Sequence, residues 1–245
     1  MVEKSLLKVN THYNRKAVQM ALKIQSANTF DASQVVFSTV RKNKHGGKVV
    51  YLSGPNNSKL YLELPFMRAP FGLSLFSDKE TGRPSYSLPI SFDKTDNEIL
   101  KLQEIFKKFD ETVIQTVADN SAEWLGKPFT AAVLEQALYR PLIRPGKGDY
   151  SATMKLSVFF DAKNNKFISE AYNSARSQVP LDSIEKGQSV KCIIDINSIS
   201  FIDGKFGVGI RLQQVLLAPS KKLPAFAFQD VPSSECEDEQ DYVDE

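Results

Sequence analysis

Hydrophobic positions along the chain fall into two rhythms. Across residues 96–118, Ile99, Leu102, Phe106, Phe109, Val113 and Val117 recur at three- and four-residue spacing, which predicts an amphipathic helix. Thr95 and Glu98 have capping-box spacing, with Thr95 as the expected N-cap. A shorter helix is predicted near residues 129–138, after Pro128. Most of the remaining pattern has period two. Residues 150–160 alternate Tyr150, Ala152, Met154, Leu156 and Val158 against Ser151, Thr153, Lys155, Ser157 and Phe159. Residues 190–196 set Val190, Cys192, Ile194 and Ile196 against Lys191, Ile193 and Asp195. Asp203-Gly204 is a hairpin-turn dipeptide. Beyond it Phe206, Val208, Ile210 and Leu212 share one strand face, and Gly207, Gly209, Arg211 and Gln213 the other. Two glycines on one face permit the curvature a barrel needs, or the close approach of a ligand; curvature is the expected use.

The N-terminal half is less regular. Strands are predicted at 35–40 and 49–53, forming a hairpin around a basic turn at 41–48 that contains Gly46-Gly47. Another strand is expected at 59–64, after which Pro65 and Pro70 interrupt and alternation resumes at 71–76. Ala17, Met20, Ala21 and Ile24 suggest a short amphipathic helix, and Trp124 is expected in the core. After Leu217, Pro219, Pro224 and Pro232 punctuate a segment ending in an acidic run, so disorder is predicted from about residue 220. No repeat at a solenoid period is visible. The expected organisation is an extension over 1–30, one domain over 31–218 with a helical insertion, and an acidic tail over 219–245. The 245 residues suffice for one large domain with extensions.

Charge changes the picture. The chain holds 31 basic and 29 acidic residues. Eight acids and no Lys or Arg fall within residues 230–245, which leaves residues 1–229 with a net charge of +10. A basic body joined to an acidic tail points to a polyanionic partner for the body. No apolar run approaches the roughly 20 residues that cross a bilayer, and the first ten residues lack a signal-peptide pattern. A soluble, intracellular protein is expected. Cys192 lies in a core-like strand and Cys236 in the tail, so both are expected as free thiols.

Catalytic chemistry finds little support. The two histidines, His12 and His45, have no metal-ligand spacing, and there is no Walker A loop, G-x-S-x-G elbow or C-x-x-C pair. A non-enzyme without metal or cofactor is expected. Basic residues interleaved with aromatics point instead to single-stranded nucleic acid, since such sites pair cations on phosphates with aromatic faces under bases. The densest stretch is Tyr139-Arg140-Pro141-Leu142-Ile143-Arg144-Pro145-Gly146-Lys147-Gly148-Asp149-Tyr150, leading into Lys155. Lys166-Phe167, Tyr172 to Arg176 and Lys205-Phe206 follow.

The segment Pro145-Gly146-Lys147-Gly148-Asp149-Tyr150-Ser151-Ala152-Thr153-Met154-Lys155-Leu156, the 190–196 run, the Gly204-to-Gly209 segment and the acidic end with an embedded aromatic carry a resemblance. Together they resemble the OB-fold single-stranded-DNA-binding proteins of some tailed phages and the nucleocytoplasmic large DNA viruses, over roughly residues 30–245. The resemblance implies a mainly β, α+β fold: an OB-like five-stranded barrel with additional strands and a long amphipathic helix. It implies sequence-independent binding of single-stranded DNA in viral replication, recombination or repair, at the site of viral DNA replication in the host cell. It also implies a tail that competes with DNA and recruits replication proteins such as a polymerase or a helicase/primase. The family's tail commonly ends in an aromatic residue, whereas here Tyr242 is followed by Val243-Asp244-Glu245.

On this reading Arg140, Arg144, Lys147, Lys155, Arg176 and Lys205 contact phosphates, and Tyr139, Tyr150 and Tyr172 stack on bases. Glu237, Asp238, Glu239, Asp241, Tyr242, Asp244 and Glu245 form the partner-binding tail. The alternatives left open are a protein-interaction accessory factor of replication or transcription, and an RNA-binding protein. A homo-oligomer is compatible with either, and no membrane partner is expected.

Overall fold

The computed structural model describes residues 23–43, 46–77, 79 and 82–220. Before the long helix come β1 (Ile24–Ser26), β2 (Val36–Phe37), β3 (Arg41–Lys42), β4 (Lys48–Ser53), β5 (Tyr61–Ala69), β6 (Ser74–Ser77) and β7 (Pro84–Ser91). Helix α1 (Asn97–Asp119) is followed by α2 (Ser121–Leu125) and α3 (Ala131–Val133), which runs on into a π turn at Leu134–Leu138. Short strands β8 (Tyr139–Arg140) and β9 (Ile143–Arg144) lead to β10 (Thr153–Val158). Then come β11 (Phe160–Asp161), β12 (Lys166–Phe167), β13 (Glu170–Tyr172), β14 (Gln178–Val179), β15 (Gln188–Ile202) and β16 (Lys205–Leu217).

Five of these strands close into a ring. β5 meets β7 at Arg68 and Ser91, and β7 runs antiparallel to β10 from Ser91 opposite Thr153 to Tyr86 opposite Val158. β10 meets β16 in parallel at Ser157 and Arg211. β16 returns antiparallel along β15, and β15 pairs back onto β5. Taking these five in chain order, the ring runs 1-2-3-5-4-1, a five-stranded barrel of OB type. Two of its seams, β5–β7 and β10–β16, are held by one registered pair each, so the barrel is closed but thin there. The protein is mainly β with helical insertions, as the alternating and helical rhythms together suggested. No helix of the described residues is long and apolar enough to cross a membrane.

The barrel closes over an apolar interior because alternate residues of each strand are apolar. Leu62, Leu64, Leu88, Ile90, Met154, Leu156, Ile194, Ile196 and Leu212 are all buried. Helix α1 adds the face read from its spacing: Phe106, Phe109, Val113 and Val117 have no exposed surface. Phe30 meets Phe109 edge-on at 5.3 Å. Trp124 is buried against Phe201, and Lys48 Nζ donates to its carbonyl at 2.8 Å near the end of α2. Cys192 is buried and free, and burial pushes its thiol up to about 12, leaving it inert.

Several expectations shift in detail. The cap of α1 is Asp96, which accepts from the Glu98 and Ile99 amides, while the Thr95 hydroxyl donates to Asp93. Residues 35–40 form only the two-residue strand β2, because Ser38 turns its hydroxyl onto the Tyr51 amide; β3 then resumes pairing with β4. β5 does not stop at Pro65. The β15 register shifts between Lys191 and Ile193 opposite Phe66 and Glu63, a bulge at the position where proline has no amide to donate. β7 was not anticipated, since Pro84 and Pro89 mask its alternation. Ile24 pairs with Tyr61 in a parallel strand rather than continuing a helix; Ala17, Met20 and Ala21 lie outside the described residues. So do His12, His45, Cys236, and the segment from residue 221 onward, where disorder was expected.

The cap assignment has a direct check. Asp96→Ala removes a carboxylate that accepts from two helix amides, so it should cost about 0.5–2 kcal/mol. Thr95→Ala should stay within about 0.5 kcal/mol. Urea unfolding of the two variants measures both, and the reverse order would return the cap to Thr95.

Candidate nucleic-acid interface

Strand β8 lies parallel beside β16, with Tyr139 opposite Phe206 and Arg140 opposite Gly207. A side chain at Gly207 would bring its Cβ within 3.2 Å of both the Arg140 Cβ and the Arg140 carbonyl oxygen. The glycine therefore serves close approach, but of the chain's own backbone. Curvature is served instead at Gly209, opposite the β15 register shift between Ile196 and Ser198. The result is a groove of about 310 Å³ on the barrel's outer surface. Arg140, Arg144 and Lys155 supply its charge, Ser157 and Ser200 its hydroxyls, and the Gly207–Gly209 backbone its floor. No Asp or Glu lines it. Lys155 and Ser157 point outward because Met154, Leu156 and Val158 take the inward positions of β10.

The segment carrying Arg140 is latched to α1. The Tyr139 hydroxyl donates to Asp110 at 2.5 Å, and the Leu142 amide donates to the other carboxylate oxygen at 3.3 Å. Burial pushes the Asp110 carboxyl up to about 6, against the lowering pull of those two hydrogen bonds; the charge of Glu111 adds to the rise. Burial likewise pushes the Tyr139 phenol up, and the Asp110 charge adds to it. The phenol is thus a fixed donor at any working pH.

The nine expected contact residues separate into groups. Arg140, Arg144 and Lys155 come together in the groove. Lys205 stands at its rim, opposite Ile202, which lines it. Lys147 and Tyr150 sit in the exposed loop between β9 and β10, Tyr150 with 80% of its surface free. Tyr172 and Arg176 do not join them. Tyr172 pairs with Leu216 on β16, nine residues beyond Gly207 and so roughly 30 Å along the strand. Its hydroxyl donates to Glu170. Arg176 is in the turn that follows. Tyr139, expected to stack on bases, is instead buried, its ring 5.1 Å from Phe206 and its hydroxyl bound to Asp110. All seven tail residues lie outside the described residues.

Two side chains near the groove were missed. Phe159 is 44% exposed, and the Arg211 guanidinium lies over its ring at 4.0 Å. Arg211 is the register partner of Ser157 on β10 and of Asp195 on β15. The signal was present, since Phe159 is the one aromatic on the polar face of the 150–160 alternation. No group of three or more His, Cys, Asp or Glu able to hold a metal occurs among the described residues.

Residues 91–230 match the model of a family described as a family of unknown function, DUF5871. No curated protein matches the sequence. Among solved structures the chain is similar to gp2.5, a single-stranded DNA binding protein encoded by bacteriophage T7. That match has a TM-score of 0.45 and 15% identity, covering 77% of this chain and 100% of that one. It is also similar to the single-stranded DNA-binding protein from bacteriophage Enc34 in complex with ssDNA. There the TM-score is 0.43 and the identity 14%, covering 77% of this chain and 97% of that one.

The latch makes a pH-dependent contribution whose sign is fixed by the direction of the Asp110 shift. Its folded value lies above the unfolded 3.8, so between about 4 and 6 the folded state holds more protons. Stability from this group is greatest below pH 4 and is lost as pH rises through 6, by up to about 3 kcal/mol. Relative to Asp110→Asn, the wild-type chain should gain stability when urea unfolding is moved from pH 7 to pH 5. A gap independent of pH would show that Asp110 is already ionised in the fold across this range.

Proposed function

The chain belongs to the family of unknown function DUF5871, and we propose that it binds single-stranded DNA without sequence preference through the groove between β8, β9, β10 and β16. One observation carries the reading: three cations, Arg140, Arg144 and Lys155, converge on a groove that contains no carboxylate and is floored by glycine backbone. The groove lies along β10, β15 and β16, the third, fourth and fifth strands of an OB-type barrel, and so takes in one strand of the face on which such barrels bind oligonucleotides. Cations without local acid partners are free to neutralise phosphates, and a bare glycine floor lets a backbone lie close. Lys205 and Lys147 extend the positive path at its ends. Tyr150 is retained as an exposed ring beside it, while Tyr172 and Arg176 would serve only a strand long enough to reach the far end of β16.

The biological setting follows from the resemblance of the sequence to viral single-strand binders: DNA replication, recombination or repair. The tail, with Glu237, Asp238, Glu239, Asp241, Tyr242, Asp244 and Glu245, then competes with DNA for the basic face and recruits replication proteins. A tethered acidic segment acts at an effective concentration on the order of millimolar.

Titration of labelled oligothymidine across a salt series tests the groove. Each phosphate neutralised on a single strand contributes a slope of roughly −0.7 in log affinity against log salt. The triple variant Arg140→Ala, Arg144→Ala, Lys155→Ala should flatten that slope by about 2 units. A full slope in the triple variant would move the phosphate path elsewhere. Competition with duplex DNA and with RNA of the same length separates the reading from its RNA alternative, since preference for RNA would contradict it.

The tail is tested on the same titration. Removing residues 234–245 takes the net charge from +2 to +9. Binding should tighten at low salt, and the gain should shrink as salt rises. Equal affinity at every salt would show that the tail never competes for the groove.

A further inference from the structure

We infer that Phe159 and Arg211 form a base-stacking station beside the phosphate groove, an assignment that rests on the proposed binding of single strands. The two residues come from different strands and meet because β10 and β16 join at Ser157 and Arg211. Phe159 follows Ser157 by two positions, just past the end of β10, and like Ser157 is exposed. Its root is fixed, because its carbonyl accepts from the Ile168 amide at 2.9 Å. Its ring is held by the Arg211 guanidinium at 4.0 Å, yet 44% of the residue stays open. An exposed aromatic costs solubility and is not needed by the core, which lies on the other side of β10.

Arg211 is itself incompletely used. Its Nε is buried without a hydrogen-bond partner, and so is one oxygen of Asp195, its register partner on β15. The guanidinium therefore sits over the ring while spare hydrogen-bonding capacity remains on both sides of the β15–β16 pair. A planar cation backed by an aromatic ring suits a nucleobase, which can lie on the π-face and take cation–π attraction from the arginine.

The test compares a thymidine dodecamer with an abasic dodecamer that has the same phosphates and no bases. Wild-type chain should bind the thymidine strand more tightly than the abasic one. Phe159→Ala should reduce that ratio roughly tenfold or more, while affinity for the abasic strand and the melting temperature hold. Arg211→Lys keeps the charge but not the planar group, so it should lower the same ratio and leave the salt slope unchanged. Phe159→Trp should preserve the ratio and show fluorescence quenching on adding thymidine but not abasic strand. Should Phe159→Ala fail to fold, Phe159→Leu keeps apolar bulk and gives the same comparison. An unchanged ratio in the Phe159 variants, or equal losses on both strands, overturns the station while leaving the groove intact. Equal wild-type affinity for the two strands does the same. Failure of the wild-type chain to bind either strand overturns the binding reading itself.

Discussion

The groove depends on the passage of one strand of backbone over another at Gly207. A Cβ there would meet Arg140 at 3.2 Å, so β8 would have to give by a few tenths of an ångström. With glycine in place the strands pair, and Arg140 is delivered to the barrel surface beside Lys155. The opposite side of the same segment is held by helix α1, whose Asp110 takes one hydrogen bond from Tyr139 and one from Leu142. A buried carboxylate is costly unless hydrogen-bonded, and these two donors are what the fold supplies to keep it there. The helical insertion is thus a brace that sets where the arginines stand.

This arrangement also sorts the charges. Acids gather on the α1 side of the 139–145 segment, where Asp110, Glu111 and Glu135 line a cavity of about 460 Å³. Cations gather on the β10 and β16 side. In the groove three cations stand together without a carboxylate, so their fields add there. Net charge by itself would not have located it.

The elements were legible where one period ran uninterrupted. The α1 face and the Asp203-Gly204 turn, with φ of +53° and +72°, stand as the sequence suggested, whereas the 150–160 alternation holds as a strand only over 153–158, with Tyr150 left exposed in the preceding loop. β7 was hidden because prolines at 84 and 89 read as breaks; Pro84 is the first residue of the strand, and Pro89 falls between the β6 pairing that ends at Ser87 and the β5 pairing at Ser91. Tyr139 was read as a loop aromatic because it is followed by Arg140 and Pro141. Its true partner, Asp110, is twenty-nine positions earlier on a helix, and nothing local reveals such a pairing. Arg140, Arg144 and Lys155 were identified as basic residues near aromatics, but their convergence needed the β8–β16 pairing. Phe159 was readable in principle, as an aromatic out of phase with the core positions of its own strand.

Hydrogen–deuterium exchange with and without oligothymidine tests the central claim most directly, because it maps contact along the backbone without altering the chain. The account expects slowed exchange in β8, β9 and β10 and in residues 205–211, with α1 and the outer face at Tyr61 and Ile193 unchanged. Tight binding that protects α1 or the Tyr61 face and leaves β10 and residues 205–211 untouched would contradict it.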